Sequence, residues 1–413
     1  MRLRRLRNKR LGRYFMVKER PALFYTCALV IGVLLYSKWS FIAGFLDLLT
    51  IAVATVVVVS AICCFVIKAG LRNASITVAM MVSGMLCGAV LCAVHDRIDI
   101  GQGNEWKTNI TKGAAAVREK VADIYMANGL EGDELAVVAA MTLGDKRHID
   151  RNLRNEYSKA GVAHVLALSG THLAILYFIF MLVAGRGSVA ARFVVVGTIW
   201  GYVVIVGMPV SAVRAAIMLS MFTLADVMRR GYDRMDVLVT TVAVMILIEP
   251  RVVLDVGFQL SVMSVGAIVV ICPLLNGLLP YDFHKRHHRL SKIWGMVSVG
   301  IAAQIGTAPL VAYYFGTLPC WFVISNLVAV PLTTVLLYGA VAIVALWPLP
   351  LLQLWAVKAV GFVAWVMNVV LGYIANLPFA AIEGVRLSVL QVVICYIMTA
   401  ALLKIITYIQ IKT

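Results

Sequence analysis

Twelve stretches of about 15 to 25 mainly apolar residues succeed one another along this chain, and they limit the folds open to it. They cover 22–37, 41–67, 74–94, 162–184, 190–208, 211–228, 235–249, 251–272, 293–316, 318–346, 351–376 and 388–409. In hydrocarbon a backbone must satisfy its own polar groups, and a helix does so within one segment. Hydrophobic residues make up 62% of the chain and its mean hydropathy is +0.92. Soluble domains use about 45–50% apolar residues. The expected fold is therefore an all-α polytopic integral membrane protein with about 12 transmembrane or re-entrant helices. Two stretches are irregular. Residues 235–249 reach only about 22 Å as a helix, so with Pro250 they predict a broken or re-entrant pair. Pro331 predicts a kink or two half-helices within 318–346.

Charge placement sets the orientation. The formal charge of +17 would suit a nucleic-acid surface, yet most of it falls where topology requires it. Residues 1–20 carry nine Lys/Arg against Glu19 alone. A secretory signal would lead to a cleavage site and a polar domain, whereas two more apolar stretches follow, so this tail is a cytoplasmic anchor. Even-numbered connections are then cytoplasmic. They carry Lys68 and Arg72, Arg186 and Arg192, Arg229, Arg230 and Arg234, and the run 284–289 with Lys292. The outward connections 208–211, 249–251 and 316–319 are short and nearly uncharged. The expected location is the cytoplasmic (inner) membrane, multi-pass, with the N-terminus inside. The eight cysteines all lie in apolar stretches and read as small core residues, not as a disulfide framework.

Four regions follow: a basic tail (1–21), N-terminal membrane helices (22–94), an external segment (95–160) and a helical membrane domain (161–410). The external segment holds ten Lys/Arg and eleven Asp/Glu. Ile110, Ala114, Val117, Val121 and Ile124 recur at helical spacing, with charged residues elsewhere, which predicts an amphipathic helix in the interface. A second helix over 133–143 then meets the turn Gly144, Asp145, Lys146. The segment suits a lid or collar over the spans, and equally a passive interfacial belt.

Polar residues inside the apolar stretches are the candidates for function. GVAHVLALSGTHLAIL at 161–176 holds His164, Ser169, Gly170, Thr171 and His172. Exposing such groups to lipid costs several kcal/mol, roughly, so they are expected to face a partner helix or a water-filled path. On an unbroken helix His164 and His172 would stand about 12 Å apart along the axis. Arg214, Asp255, Gln259 with Ser261, Gln304 and Asn326 add to the set. His164, Arg214, Asp255 and Asn326 begin inward-running spans and are expected in the outer half, with Ser169, His172, Gln259 and Gln304 deeper. A layered polar path of this kind suits a channel or transporter vestibule. A lone charge at a helix centre costs ~2.5–3.5 kcal/mol, so Arg214 and Asp255 are expected to approach each other or share water. Packing by small residues, and snorkelling of Arg214 to the headgroups, are the plainer alternatives.

Several chemistries lack their motifs. There is no GxxxxGK[ST] loop, so energy must come from a partner or a gradient, and there is no HExxH. HKRHH at 284–288 has no carboxylate or thiolate support and reads as a solvated charge run, so neither metal nor cofactor is expected. ALSG around Ser169 is similar to the GxSG of rhomboid-type intramembrane serine proteases, but Ala167 stands at the first position. The nearby histidines share the serine's own stretch, which places the base badly for nucleophilic catalysis.

An ordered series of motifs resembles the ComEC competence family, inner-membrane DNA channels of natural transformation. It comprises Gly144, Asp145 and Lys146, then His164, then LALSGTH at 166–172, VRAA at 213–216, LDVGFQLS at 254–261, AAQIGTAPL at 302–310 and SNLVAVPL at 325–332. The resemblance covers roughly 130 to 350 and implies passage of single-stranded DNA to the cytoplasm. Channel-lining roles would fall to His164, Ser169, Thr171, His172, Arg214, Asp255, Gln259, Gln304 and Asn326, with Asp145 and Lys146 in the external turn. Implied partners are single-stranded DNA, membrane lipid, and a separate DNA receptor, nuclease and cytoplasmic helicase; the resemblance leaves oligomeric state open. Family members commonly add an external OB-like domain and a metallo-β-lactamase-like domain. Residues 95–109 are too few for the first and nothing after about 409 supplies the second, so no nuclease activity is expected and the chain is not read as an enzyme. Thr171 replaces the usual apolar residue. A transporter of another polar solute is the main alternative.

Overall fold

The computed structural model describes residues 21–43, 82–85, 87–92, 105–185, 188–228, 233–279, 283 and 286–412. The basic tail, most of the stretch 41–67, most of 74–94, and Lys68, Arg72, Arg186, Arg229, Arg230 and His284 lie outside the described residues. The chain forms two units. One takes 1–103, 231–274 and 398–413; the other takes 104–230 and 275–397.

The first unit contains α1 (Pro21–Ala43), α8 (Arg234–Ile248), a 3-10 turn (Pro250–Leu254) and most of α9 (Val256–Asn276). The expected broken pair takes a definite form here. α8 stops after 15 residues, the Glu249 carboxylate accepts the Arg251 N–H at 3.3 Å, and α9 starts only at Val256. Pro250 has no N–H to give, so the chain turns where a continuous helix would lose a bond.

The second unit holds α2 (Glu105–Ala127), α3 (Gly132–Leu143), α4 (Arg151–Lys159), α5 (Gly170–Ala184), α6 (Val189–Ile205), α7 (Val210–Val227), α10 (His288–Phe315), α11 (Phe322–Ala345), α12 (Pro350–Ala375) and the start of α13 (Val389–Lys412). Among the described residues the fold is all-α apart from two short strands, β1 (Thr317–Pro319) and β2 (Ala381–Glu383). These pair antiparallel, Leu318 opposite Ile382, and tie the α10–α11 connection to the α12–α13 connection. Gly161, at φ +81°, lies against them: an added Cβ would stand 2.8 Å from Pro319 Cβ.

Among the described residues six helices, α7 and α9–α13, are long and apolar enough to cross a membrane, and α5 and α6 are shorter apolar helices. Two expectations need correction. The stretch 162–184 is not one helix: Ala163–Val165 form a 3-10 turn and α5 begins only at Gly170. α11 runs through Pro331 as one helix instead of two halves. Neighbouring helices compensate a missing backbone bond in such settings, and Ala329, Thr333, Leu336 and Leu337 are buried around this one.

The external segment also behaves differently from a surface belt. Its helix α3 is buried over Leu135–Leu143, packed with α11 and α12 in a core that includes Val137, Met141, Leu336, Val360 and Met367. Asp133 and Glu134 suit the N-terminal end of the α3 dipole, and Gly144 at φ +70° ends the helix, its N–H bonded to the Ala139 carbonyl. On α2, Ala114 is buried and Val121 and Ile124 join that core, but Val117 is exposed.

Close approach of α11 and α12 depends on Gly339, where an added Cβ would stand 2.3 Å from Val360 Cγ2. Val has a stiff side chain. Gly339→Ala is expected to cost about 1–3 kcal/mol by overpacking, read as a lower unfolding temperature of the purified protein in detergent; an unchanged temperature would mean that the two helices part freely.

Candidate functional site

The site grows from the break before α5. Ser169 has extended backbone (φ −113°, ψ 167°) and caps the helix, with His172 at the third helical position completing a capping box. The Ser169 N–H donates to His172 Nδ1 at 3.0 Å, and its hydroxyl lies 2.7 Å from the same nitrogen. Nδ1 is thereby an acceptor, so the neutral ring carries its proton on Nε2. Nε2 is buried with no hydrogen-bond partner in the described residues, on a side chain within a residue only 1% exposed. A fixed N–H donor of this kind suits an acceptor, such as water or a phosphate oxygen. With the Nδ1 lone pair engaged and Nε2 protonated, the ring is not arranged as a metal ligand.

His164 sits on the preceding 3-10 turn, with its side chain at the surface of the described residues. Thr171 is exposed on the first turn of α5. Leu168 and Leu173 lie in a core with Ala212 and Ala216 of α7 and Leu337 of α11, which holds these helix starts together. The Ser211 hydroxyl donates to the Leu168 carbonyl at 2.6 Å, and Arg214, one turn further along α7, is 6% exposed. Asn326 is half-buried near the start of α11, and Gln304 is half-buried within α10. Asp255 and Gln259 belong to the other unit. There Asp255 caps α9 by accepting the Phe258 N–H at 2.6 Å, and the Gln259 amide donates to the Val253 carbonyl at 3.0 Å.

Ser169 and His172 meet the distance a nucleophile and base need, contrary to the expectation from their shared stretch. The contact is a helix cap, however. Nδ1 already receives the Ser169 amide, the hydroxyl receives the His172 N–H, and no third group orients Nε2.

A second polar feature surrounds the turn Gly144, Asp145, Lys146. A cavity of about 520 Å³ is lined by Ala115, Arg118, Glu119, Gly144, Asp145, Lys146 and Arg147. Arg147 grips Asp145 with both Nε and Nη2, at 2.9 and 2.6 Å, and this holds the carboxyl below its usual range. Arg118 Nη1 donates to the Val206 carbonyl at 3.0 Å, beside Gly207 at φ +87°, where an added Cβ would strike the same guanidinium. Sequence reasoning passed over Ser211, Arg118 and Lys358. Ser211 follows a proline at a helix start, Arg118 falls on the polar face of α2, and Lys358 is a single charge inside the apolar stretch 351–376.

Residues 141–408 match the competence protein family. The chain is 26% identical over 340 residues to competence protein ComA of Neisseria gonorrhoeae, covering 75% of this chain and 43% of that one. It is 26% identical over 217 residues to ComE operon protein 3 of Bacillus subtilis, 52% of this chain and 26% of that one. It is 23% identical over 277 residues to recombination protein 2 of Haemophilus influenzae, 60% of this chain and 35% of that one. The chain thus spans less than half the length of each of these relatives. No solved structure matches it. The family match takes in the capped start of α5, α7 and every helix from α8 to α12, and on that ground the chain belongs to the competence protein family.

Proposed function

We propose that this chain forms the path by which single-stranded DNA crosses the cytoplasmic membrane during natural transformation. The family match over 141–408 is the observation that carries the reading, because it covers the helices bearing the polar cluster. Physical chemistry supports it. Phosphates need donors, bases tolerate apolar and aromatic walls, and tight binding throughout would arrest movement. His164, Ser169, Thr171, His172, Arg214 and Asn326 lie at helix starts of one unit and offer weak, sequence-independent contacts; Gln304 serves further along. Asp255 and Gln259, at the start of α9 in the other unit, are further polar candidates for contact with the cargo. The N-terminus is cytoplasmic, the cluster faces outward, and a separate receptor, nuclease and cytoplasmic helicase work with the chain.

Deletion in the source organism is expected to abolish transformation, with rescue by the wild-type copy and not by His172→Ala at equal protein level. Unchanged transformation after deletion would point to another polar solute. Ser169→Ala separates structure from transport: it removes a cap worth about 1 kcal/mol but keeps the amide that holds Nδ1, so uptake is expected to stay within a few-fold of wild type. Arg214→Ala is expected to reduce uptake at equal protein level; normal uptake in this variant would argue against a place for Arg214 on the path.

A further inference from the structure

The turn joining α2 to α3 places unusual residues against a membrane helix. Asn128, Glu131 and Glu134 line an open-sided cavity of about 290 Å³ together with Lys358, Phe362 and Trp365 of α12; Glu131, Lys358, Phe362 and Trp365 are themselves exposed. α12 is a 26-residue candidate span, and Lys358 and Phe362 fall near its middle.

Two independent rulers give the depth of this turn. The first is α3. Its C-terminal end is level with the end of α6, because the Tyr202 hydroxyl donates to the Thr142 carbonyl at 2.8 Å and Arg118 reaches the Val206 carbonyl. From there α3 runs back over 12 residues to Gly132, about 18 Å at 1.5 Å per residue. The second ruler is α12. Near its C-terminal end it meets α4: the Tyr157 hydroxyl donates to Asn368 Oδ1 at 2.6 Å, and an added Cβ at Gly372 would stand 3.2 Å from Glu156 Oε2. The turn meets α12 at Gly361 instead, where an added Cβ would stand 2.9 Å from Leu130 Cδ1. Gly361 to Gly372 is about 16 Å along a helix. Half of a 30 Å hydrocarbon layer is about 15 Å.

We propose that α2 and α3 form a re-entrant hairpin whose tip holds a water-filled, charged cavity against α12 at mid-depth of the membrane. The cavity has room for several waters, since one occupies about 30 Å³ in the liquid, and it offers each of them polar partners. Ionisable groups at such depth face one another or water because lipid cannot solvate them. Phe362 and Trp365, with ring centroids 5.8 Å apart, and Trp355, with Lys358 Nζ 5.6 Å from its ring centroid, provide the apolar and cation–π surround. The inference does not depend on the cargo; it rests on α12 crossing the membrane.

Spin labels test both parts. In the full chain, with its native cysteines replaced, nitroxides are placed at Asn128→Cys and, as a ruler on α12 itself, at Phe362→Cys, in phospholipid nanodiscs. Oxygen against a water-soluble nickel chelate gives depth, and deuterium modulation after exchange into heavy water gives hydration. Both labels are expected at mid-bilayer depth, with strong deuterium modulation at Asn128→Cys. Mid-depth at Phe362→Cys but headgroup depth at Asn128→Cys would overturn the hairpin, and a dry label at Asn128→Cys would overturn the cavity. Headgroup depth at both would remove α12 as a span, and the inference with it. Lys358→Glu is expected to lower the unfolding temperature, and adding Glu131→Lys to restore most of the loss; additive losses would overturn the shared charged cavity.

Discussion

Each helix start leaves backbone N–H groups without a helical partner, and in an apolar surround an unmet donor is costly. Much of this molecule follows from how those donors are met. Asp150 accepts the Leu153 N–H before α4, Ser188 the Ala191 N–H before α6, Asp233 the Met235 N–H before α8, and Asp255 the Phe258 N–H before α9. Ser169 and His172 do this for α5 and go one step further, since the cap fixes the imidazole tautomer and leaves its remaining N–H unspent. The amide that stabilises the helix start thus also decides which ring nitrogen carries the proton.

The apolar stretches were legible from their length, and the family from the order of motifs, because both are properties of the chain itself. The break between α8 and α9 was legible too, since Pro250 marks it locally. What escaped was set by distant partners. Nothing within 133–143 says that this helix is enclosed by α11 and α12, because a run of Leu, Ala, Val and Met suits an interface and a core equally well. Of the kink or two half-helices that Pro331 predicts, the two halves are not formed, since α11 runs through it as one helix. At the site, the polar residues around Ser169 stood out, but their geometry did not. A helix begins at Gly170 and not at Val162, and that single boundary turns two separated residues into a 2.7 Å contact.

Asp255 illustrates how a sequence reading can be right about a residue and incomplete about its reason. As a carboxylate among apolar neighbours it demands a partner, and the first partner it finds is its own helix, at the Phe258 amide. A cap at the dipole's positive end reduces the cost of carrying the charge. The cap thus gives the carboxylate a structural reason to stand at this helix start.

The small ribbon of β1 and β2 bears on how the second unit is made. Thr317 cannot pair until Glu383 exists, and by then α10, α11 and α12 have all been synthesised. Gly161 packs against Pro319 on that same ribbon, and Lys159 reaches Glu383 at 3.3 Å. The ribbon therefore fastens connections that are far apart in the sequence: the turn before the polar cluster and the α10–α11 connection are both held by a strand that is made only after α12.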